Sequence, residues 1–82
     1  METYKSIYVN YLDNLKKINK EFNNGKSQGY CKDDALIEYY IMFGALNYML
    51  RSRKINTDKF SQLSKEAWKD YEECVSKLKK TA

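Results

Sequence analysis

The chain has 82 residues, of which 43% are hydrophobic, 15% aromatic and 32% charged, and its formal net charge is +4. This balance excludes a disordered polar segment, and the length allows one domain with a small core. The absence of proline and the presence of only three glycines exclude a turn-rich β-sandwich or barrel, so an all-helical chain is predicted.

The first predicted helix covers about residues 3–22. Six of its aromatic and aliphatic residues recur at alternating steps of four and three, which is the seam of a helix that packs at a shallow angle on its neighbours. The seam residues are Tyr4, Tyr8, Tyr11, Leu15, Ile18 and Phe22. The sequence NNGKSQG follows, in which Asn and Gly tolerate the left-handed backbone that closes a helix. We therefore expect a turn at residues 23–29.

The second predicted helix covers about residues 32–54 and is the most apolar part of the chain. Thirteen of the sixteen residues from Ala35 to Leu50 are apolar. Since a helix that is apolar all round is a buried one, we expect it at the centre of the fold. Asp33 and Asp34 are expected in its first turn, where carboxylates complement the helix dipole. The run is shorter than the roughly 20 apolar residues that span a membrane, so no membrane role is expected.

The third predicted helix covers about residues 57–79 and has Thr57 or Asp58 as its N-cap. Its apolar residues again step by threes and fours. They are Phe60, Leu63, Ala67, Tyr71, Cys74 and Leu78. Three helices of similar length with short turns predict an all-α fold, in which residues 1–82 form a small up-down-up antiparallel three-helix bundle around a strongly apolar central helix.

One apolar side of the central helix is left over in this arrangement, because two amphipathic neighbours cover only about two-thirds of its surface. The residues predicted to form this side are Tyr39, Met42, Leu46 and Met49. Either long side chains of the outer helices wrap it, or it forms an interface with a second copy or with a target protein. The enrichment of Met and Tyr at interface centres favours the interface.

The residue types argue against catalysis and against a metal site. The chain has no His, and its two Cys are too few for a zinc site and lack a partner base. The triplet Gly-Lys-Ser within NNGKSQG lacks the first glycine of a phosphate-binding loop. We therefore expect no enzymatic activity, no metal and no cofactor. The acidic, polar opening of the sequence does not resemble a signal peptide, so a cytoplasmic location with free thiols at Cys31 and Cys74 is expected.

A basic stretch follows the apolar run and contains both arginines of the chain. Arg51, Arg53 and Lys54 are expected in the last turn of the second helix, where cations complement the helix dipole. Arg also offers a planar fork for a carboxylate or a phosphate, which Lys does not. The stretch either caps the helix or forms an internal ion pair, or it contacts a partner. In the latter case Arg51, Arg53, Lys54 and the neighbouring Tyr48 are the predicted partner-binding residues.

Small size, a surplus apolar side and eight tyrosines indicate a protein-binding module. The richness in Lys, Asn, Ile and Tyr is typical of AT-rich genomes. The hypothesis is a non-enzymatic regulator or inhibitor of a larger host protein complex, encoded by a phage or other mobile element of an AT-rich bacterium and able to form a homodimer. The alternative is a weakly basic nucleic-acid-binding accessory or regulatory protein that contacts phosphates through Arg51, Arg53 and Lys54.

Overall fold

The computed structural model describes residues 3–79, which form the helices α1 (Thr3–Asn23), α2 (Gln28–Arg51) and α3 (Thr57–Ser76). Connections of four and five residues make consecutive helices antiparallel. α2 packs along both of its neighbours, whereas α1 and α3 contact each other over a smaller area. The predicted all-α three-helix bundle with a central second helix is confirmed.

One hydrophobic core joins the three helices. Its buried residues are Tyr11, Leu15 and Ile18 of α1, Cys31, Ala35, Met42, Leu46 and Met49 of α2, Leu63, Ala67 and Cys74 of α3, and Ile55 and Leu78 outside the helices. The other seam residues of α1 and α3 are partly buried and pack against this core. The seams predicted for the outer helices are therefore confirmed, and they place one side of α2 between α1 and α3.

α2 begins four residues earlier than the sequence pattern predicted. The side chain of Ser27 caps the helix by accepting a hydrogen bond from the backbone N–H of Tyr30. Asp33 and Asp34 consequently lie in the second turn, and no acid occupies the first turn. Asp34 instead forms an ion pair with Lys26, whose Nζ lies 2.7 Å from the carboxylate.

α3 begins at the predicted residue but is capped one residue earlier than expected. The N-cap is Asn56 and not Thr57 or Asp58, because the Asn56 side chain accepts a hydrogen bond of 2.8 Å from the N–H of Lys59. The helix ends at Ser76, three residues before the predicted end.

α2 ends at Arg51, so Arg53 and Lys54 lie beyond its last turn and not within it as predicted. The N–H of Arg53 donates to the carbonyl of Leu50 at 3.1 Å, and the N–H of Lys54 donates to the carbonyl of Met49 at 2.8 Å. This pair of hydrogen bonds is the Schellman motif, which requires one left-handed residue. Arg53 is that residue, with φ of 60°.

We expect Arg53→Gly to raise the free energy of unfolding by about 0.5–1 kcal/mol, because the left-handed conformation costs a residue with a side chain more than it costs glycine. Gly25 has φ of 104° in the equivalent motif after α1, and a Cβ there would meet nothing within 4 Å. Gly25→Ala should therefore lower the same free energy by about 1 kcal/mol through backbone conformation alone. Urea denaturation measures both changes, and a destabilised Arg53→Gly chain would contradict the assignment.

Candidate protein-binding face

Five large apolar side chains of α2 are exposed to solvent. The exposed fractions are 67% for Tyr30, 54% for Ile37, 62% for Tyr40, 61% for Ile41 and 65% for Tyr48. Their spacing along the chain places them on the side of the helix opposite to the core residues, over about five turns. We call these five residues the α2 face.

The same side of α2 also carries three residues that are poorly suited to a hydrophobic core. Asp33, Gly44 and Arg51 all lie on it, and all three are exposed. A Cβ added at Gly44 would meet nothing within 4 Å. Glycine within an exposed helix costs about 1 kcal/mol relative to alanine, and in the described part of the chain no turn or close contact requires it.

The predicted oligomer interface lies on the opposite side of α2, in the core. Met42, Leu46 and Met49 are only 1%, 0% and 2% exposed. Tyr39 is partly buried, and its ring packs against those of Trp68 and Tyr71 with centroid distances of 5.1 and 5.7 Å. The prediction that Tyr39, Met42, Leu46 and Met49 form a free side is therefore wrong, because α1 and α3 both pack over that side of the helix.

Aromatic contacts extend the α2 face towards α3. The ring of Tyr39 lies 5.9 Å from that of Tyr40 and 5.1 Å from that of Trp68, measured between centroids. Trp68 is itself 44% exposed. Tyr39 and Trp68 thus extend the exposed apolar surface at Tyr40 towards α3, and exposed apolar patches mark interaction sites.

The predicted partner-binding residues lie together at the C-terminal end of this patch. Tyr48 belongs to the α2 face, and Arg51 follows it on the same side of the helix. Arg53 and Lys54 are exposed in the turn that follows. Within residues 3–79, none of these three cations forms an ion pair with a carboxylate. All three are exposed at the C-terminal end of α2, where they complement the helix dipole and are accessible to a partner.

Two tyrosine hydroxyls connect α1 to α3. The O–H of Tyr8 donates to Asp70 at 2.6 Å, and the O–H of Tyr11 donates to the backbone carbonyl of Ala67 at 2.7 Å. Burial raises the pKa of both phenols above the ordinary value of 10.0, and the carboxylate of Asp70 raises both further. These hydroxyls hold the outer helices together and lie away from the α2 face.

Both cysteines are buried free thiols, as expected. Burial raises the pKa of Cys31 and of Cys74 above the ordinary value. The Sγ of Cys74 donates a weak hydrogen bond to the carbonyl of Leu15 at 3.6 Å. A nucleophilic cysteine has a lowered pKa and is accessible, so these thiols have the properties of core side chains.

Residues 3–79 contain neither a cluster of metal ligands nor a membrane-spanning helix. No three Cys, Asp or Glu side chains in this range come together in a way that would hold a metal ion. None of the three helices there combines the length and the apolarity of a membrane-spanning segment. The α2 face is thus the feature that distinguishes the surface of this part of the chain.

No family model matches the chain, and no curated protein or solved structure is significantly similar to it.

Proposed function

We propose that this chain is a small non-enzymatic protein-binding module and that the α2 face is its docking surface. The observation that carries the proposal is a set of five large apolar side chains, each more than half exposed, on one side of the central helix. Monomeric proteins rarely expose a contiguous apolar patch of more than a few hundred Å². Tyrosine, which makes up three of the five, supplies contact area at a low cost in side-chain entropy.

The proposed biological role is regulation or inhibition of a larger host protein complex in the cytoplasm. The abundance of Lys, Asn, Ile and Tyr supports an origin in a phage or other mobile element of an AT-rich bacterium. A chain of 82 residues can act on a larger assembly by occupying one of its surfaces. The cations Arg51, Arg53 and Lys54 at the end of the patch favour a target that places acidic residues beside an apolar surface.

Ile41→Glu should abolish capture of the target from the source cell. The side chain is 61% exposed, so the fold tolerates glutamate, whereas a complex would have to bury an unpaired charge. We expect at least about a 100-fold loss of affinity. Affinity capture followed by quantitative mass spectrometry measures this loss.

Val9→Glu is the matched control, because Val9 is a 57% exposed apolar residue on α1, outside the α2 face. It should capture the target as the unaltered chain does. Equal capture by Ile41→Glu and the unaltered chain would contradict the proposed docking surface, and so would equal losses in the two variants.

The exposed cations after α2 support nucleic-acid binding as the second candidate. Against it, α3 mixes acids with bases along its length and carries five acidic residues, whereas a nucleic-acid-binding surface is predominantly basic. We expect no DNA or RNA shift that depends on Arg51, Arg53 and Lys54, even at about 50 mM salt, where phosphate contacts are strongest. A shift at that salt that weakens steeply by about 200 mM would favour the second candidate.

A further inference from the structure

Charge and side-chain size are distributed along α2 in a pattern that complements itself. Asp33 near one end and Arg51 at the other are exposed, and within residues 3–79 neither forms an ion pair. Both lie nine residues from position 42 along the chain. Tyr40 and Gly44 each lie two residues from the same position. Tyr40, which has a large side chain, and Gly44, which has none, are thus placed symmetrically about position 42, as Asp33 and Arg51 are.

We propose that a second copy of this chain binds the α2 face, with the two α2 helices antiparallel and related by a two-fold axis at the level of residue 42. Residues equally distant from the axis then face each other. Asp33 meets Arg51 of the second copy, and Tyr40 meets Gly44 of the second copy. Because a two-fold interface is self-complementary, each contact occurs twice. The inference rests on the proposed function, since it names the occupant of the same docking surface.

The residues proposed to meet in the dimer also lie along one line of the α2 surface, as an antiparallel pairing of two α2 helices requires. Steps of seven, four and seven residues keep Asp33, Tyr40, Gly44 and Arg51 within about 40° of one another around the axis. Two antiparallel helices can meet along such a line at a shallow crossing angle. The open space beside Gly44 receives the Tyr40 ring of the second copy, since no atom of residues 3–79, apart from the adjacent backbone of α2, lies within 4 Å of a Cβ at that position.

The apolar area available suits a dimer of moderate affinity. Since a fully buried aromatic side chain covers about 150–250 Å², the five side chains of the α2 face offer on the order of 600 Å² per copy. Two copies then bury roughly 1,200 Å², which is at the lower end of stable specific interfaces. In this arrangement the apolar side chains provide most of the contact, and the two pairs of opposite charge select the antiparallel direction.

Charge reversal tests the direction of the pairing. We expect the unaltered chain to dimerise in sedimentation velocity experiments, and Asp33→Arg and Arg51→Asp each to raise the Kd at least tenfold by placing like charges together at both ends. An equimolar mixture of the two variants should form a heterodimer with a Kd within about threefold of the unaltered one, because opposite charges again meet at both ends. Absence of this recovery overturns the antiparallel arrangement.

Gly44→Gln separates dimerisation from folding. In the monomer the new side chain enters open solvent and glutamine favours the helix more than glycine does, so the melting temperature of a dilute sample should not fall. In the dimer it occupies the place of Tyr40 of the second copy, and the Kd should rise at least about tenfold. Val9→Gln on α1 is the control and should leave the Kd unchanged. A Gly44→Gln chain that dimerises as the unaltered chain does overturns the proposed contact.

The outcomes also distinguish this inference from the proposed function. An unaltered chain that remains monomeric at about 1 mM overturns the second copy as occupant. If Ile41→Glu nevertheless abolishes capture of a different protein, the α2 face is still the docking surface. If neither self-association nor capture depends on Ile41, both proposals fail.

Discussion

Leu46→Ala should lower the free energy of unfolding by about 3–5 kcal/mol, whereas Ile41→Ala should change it by less than about 0.5 kcal/mol. Both residues are large and aliphatic, and both lie in α2. Leu46 is 0% exposed in the core, so its truncation removes apolar contacts and leaves a cavity. Ile41 is 61% exposed and loses little contact, and alanine favours the helix more than isoleucine does.

Urea denaturation followed by circular dichroism measures both changes. The experiment uses a dilute sample, at about 1 µM, so that association through the α2 face contributes little. Leu46→Met is the control for Leu46→Ala, because it keeps most of the side-chain volume and should cost less than about 1.5 kcal/mol. Equal losses in the two alanine variants, or a larger loss at Ile41, would show that α2 turns a different side to the core.

The fold should also lose stability steeply as the pH rises above about 9–10. Burial raises the pKa of Tyr8 and Tyr11 above the ordinary value of 10.0, and that of Cys31 and Cys74 above the ordinary value of 9.0. Below these ordinary values the folded and unfolded chains both keep the protons, and pH has no effect through these groups. Above them the unfolded chain releases protons that the folded chain retains. Each group then favours unfolding by up to about 1.4 kcal/mol per pH unit.

Denaturation curves recorded between about pH 8 and pH 11.5 test this expectation. Tyr8→Phe removes one partly buried phenol, so the fall in stability above pH 10 should become shallower by up to about 1.4 kcal/mol per pH unit. The same variant should lose about 1–2 kcal/mol at neutral pH, because Asp70 loses a hydrogen-bond donor. Tyr48→Phe is the control and alters a tyrosine that is 65% exposed. A stability that stays constant up to pH 11.5 would contradict the burial of these side chains.

The sequence predicted the buried sides of the outer helices because those helices have a polar side to contrast with the apolar one. Leu15 and Leu63 are buried as their spacing indicates. In α2 the contrast is missing, since nearly every residue from Ala35 to Leu50 is apolar. Hydrophobicity alone therefore could not identify which side of α2 faces the solvent.

Three residues of α2 that are not apolar indicate which side of the helix is exposed, whereas the pattern of apolar residues does not. Asp33, Gly44 and Arg51 share one side of the helix, and that side includes Ile37 and Ile41. Assigning Asp33, Gly44 and Arg51 to solvent would have placed the exposed patch on the α2 face and the buried methionines in the core. Not every charged residue gives this signal, because Glu38 lies towards α1, where its carboxylate accepts a hydrogen bond from Asn14.

The ends of α2 were harder to predict, because they depend on single hydrogen bonds. Ser27 caps the helix through its side chain. The sequence pattern instead predicted a start near residue 32, with Asp33 and Asp34 in the first turn. At the other end, Arg53 occupies a left-handed position that glycine usually fills. A sequence without glycine at that position gives no signal for the end of a helix, and the predicted helix was accordingly three residues too long there.

The accessibility of isoleucine, leucine and valine methyl groups to a soluble paramagnetic agent tests the exposed side of α2 most directly. In a dilute sample, we expect strong relaxation enhancement at Ile37 and Ile41 and little at Leu46. When the α2 face is occupied, by a second copy at high concentration or by a captured target, the enhancement at Ile37 and Ile41 should fall while that at Val9 stays. An accessible Leu46 in the dilute sample would contradict the assignment of the exposed side of α2. Ile37 and Ile41 methyl groups that remain accessible in the complex would contradict the α2 face as the docking surface.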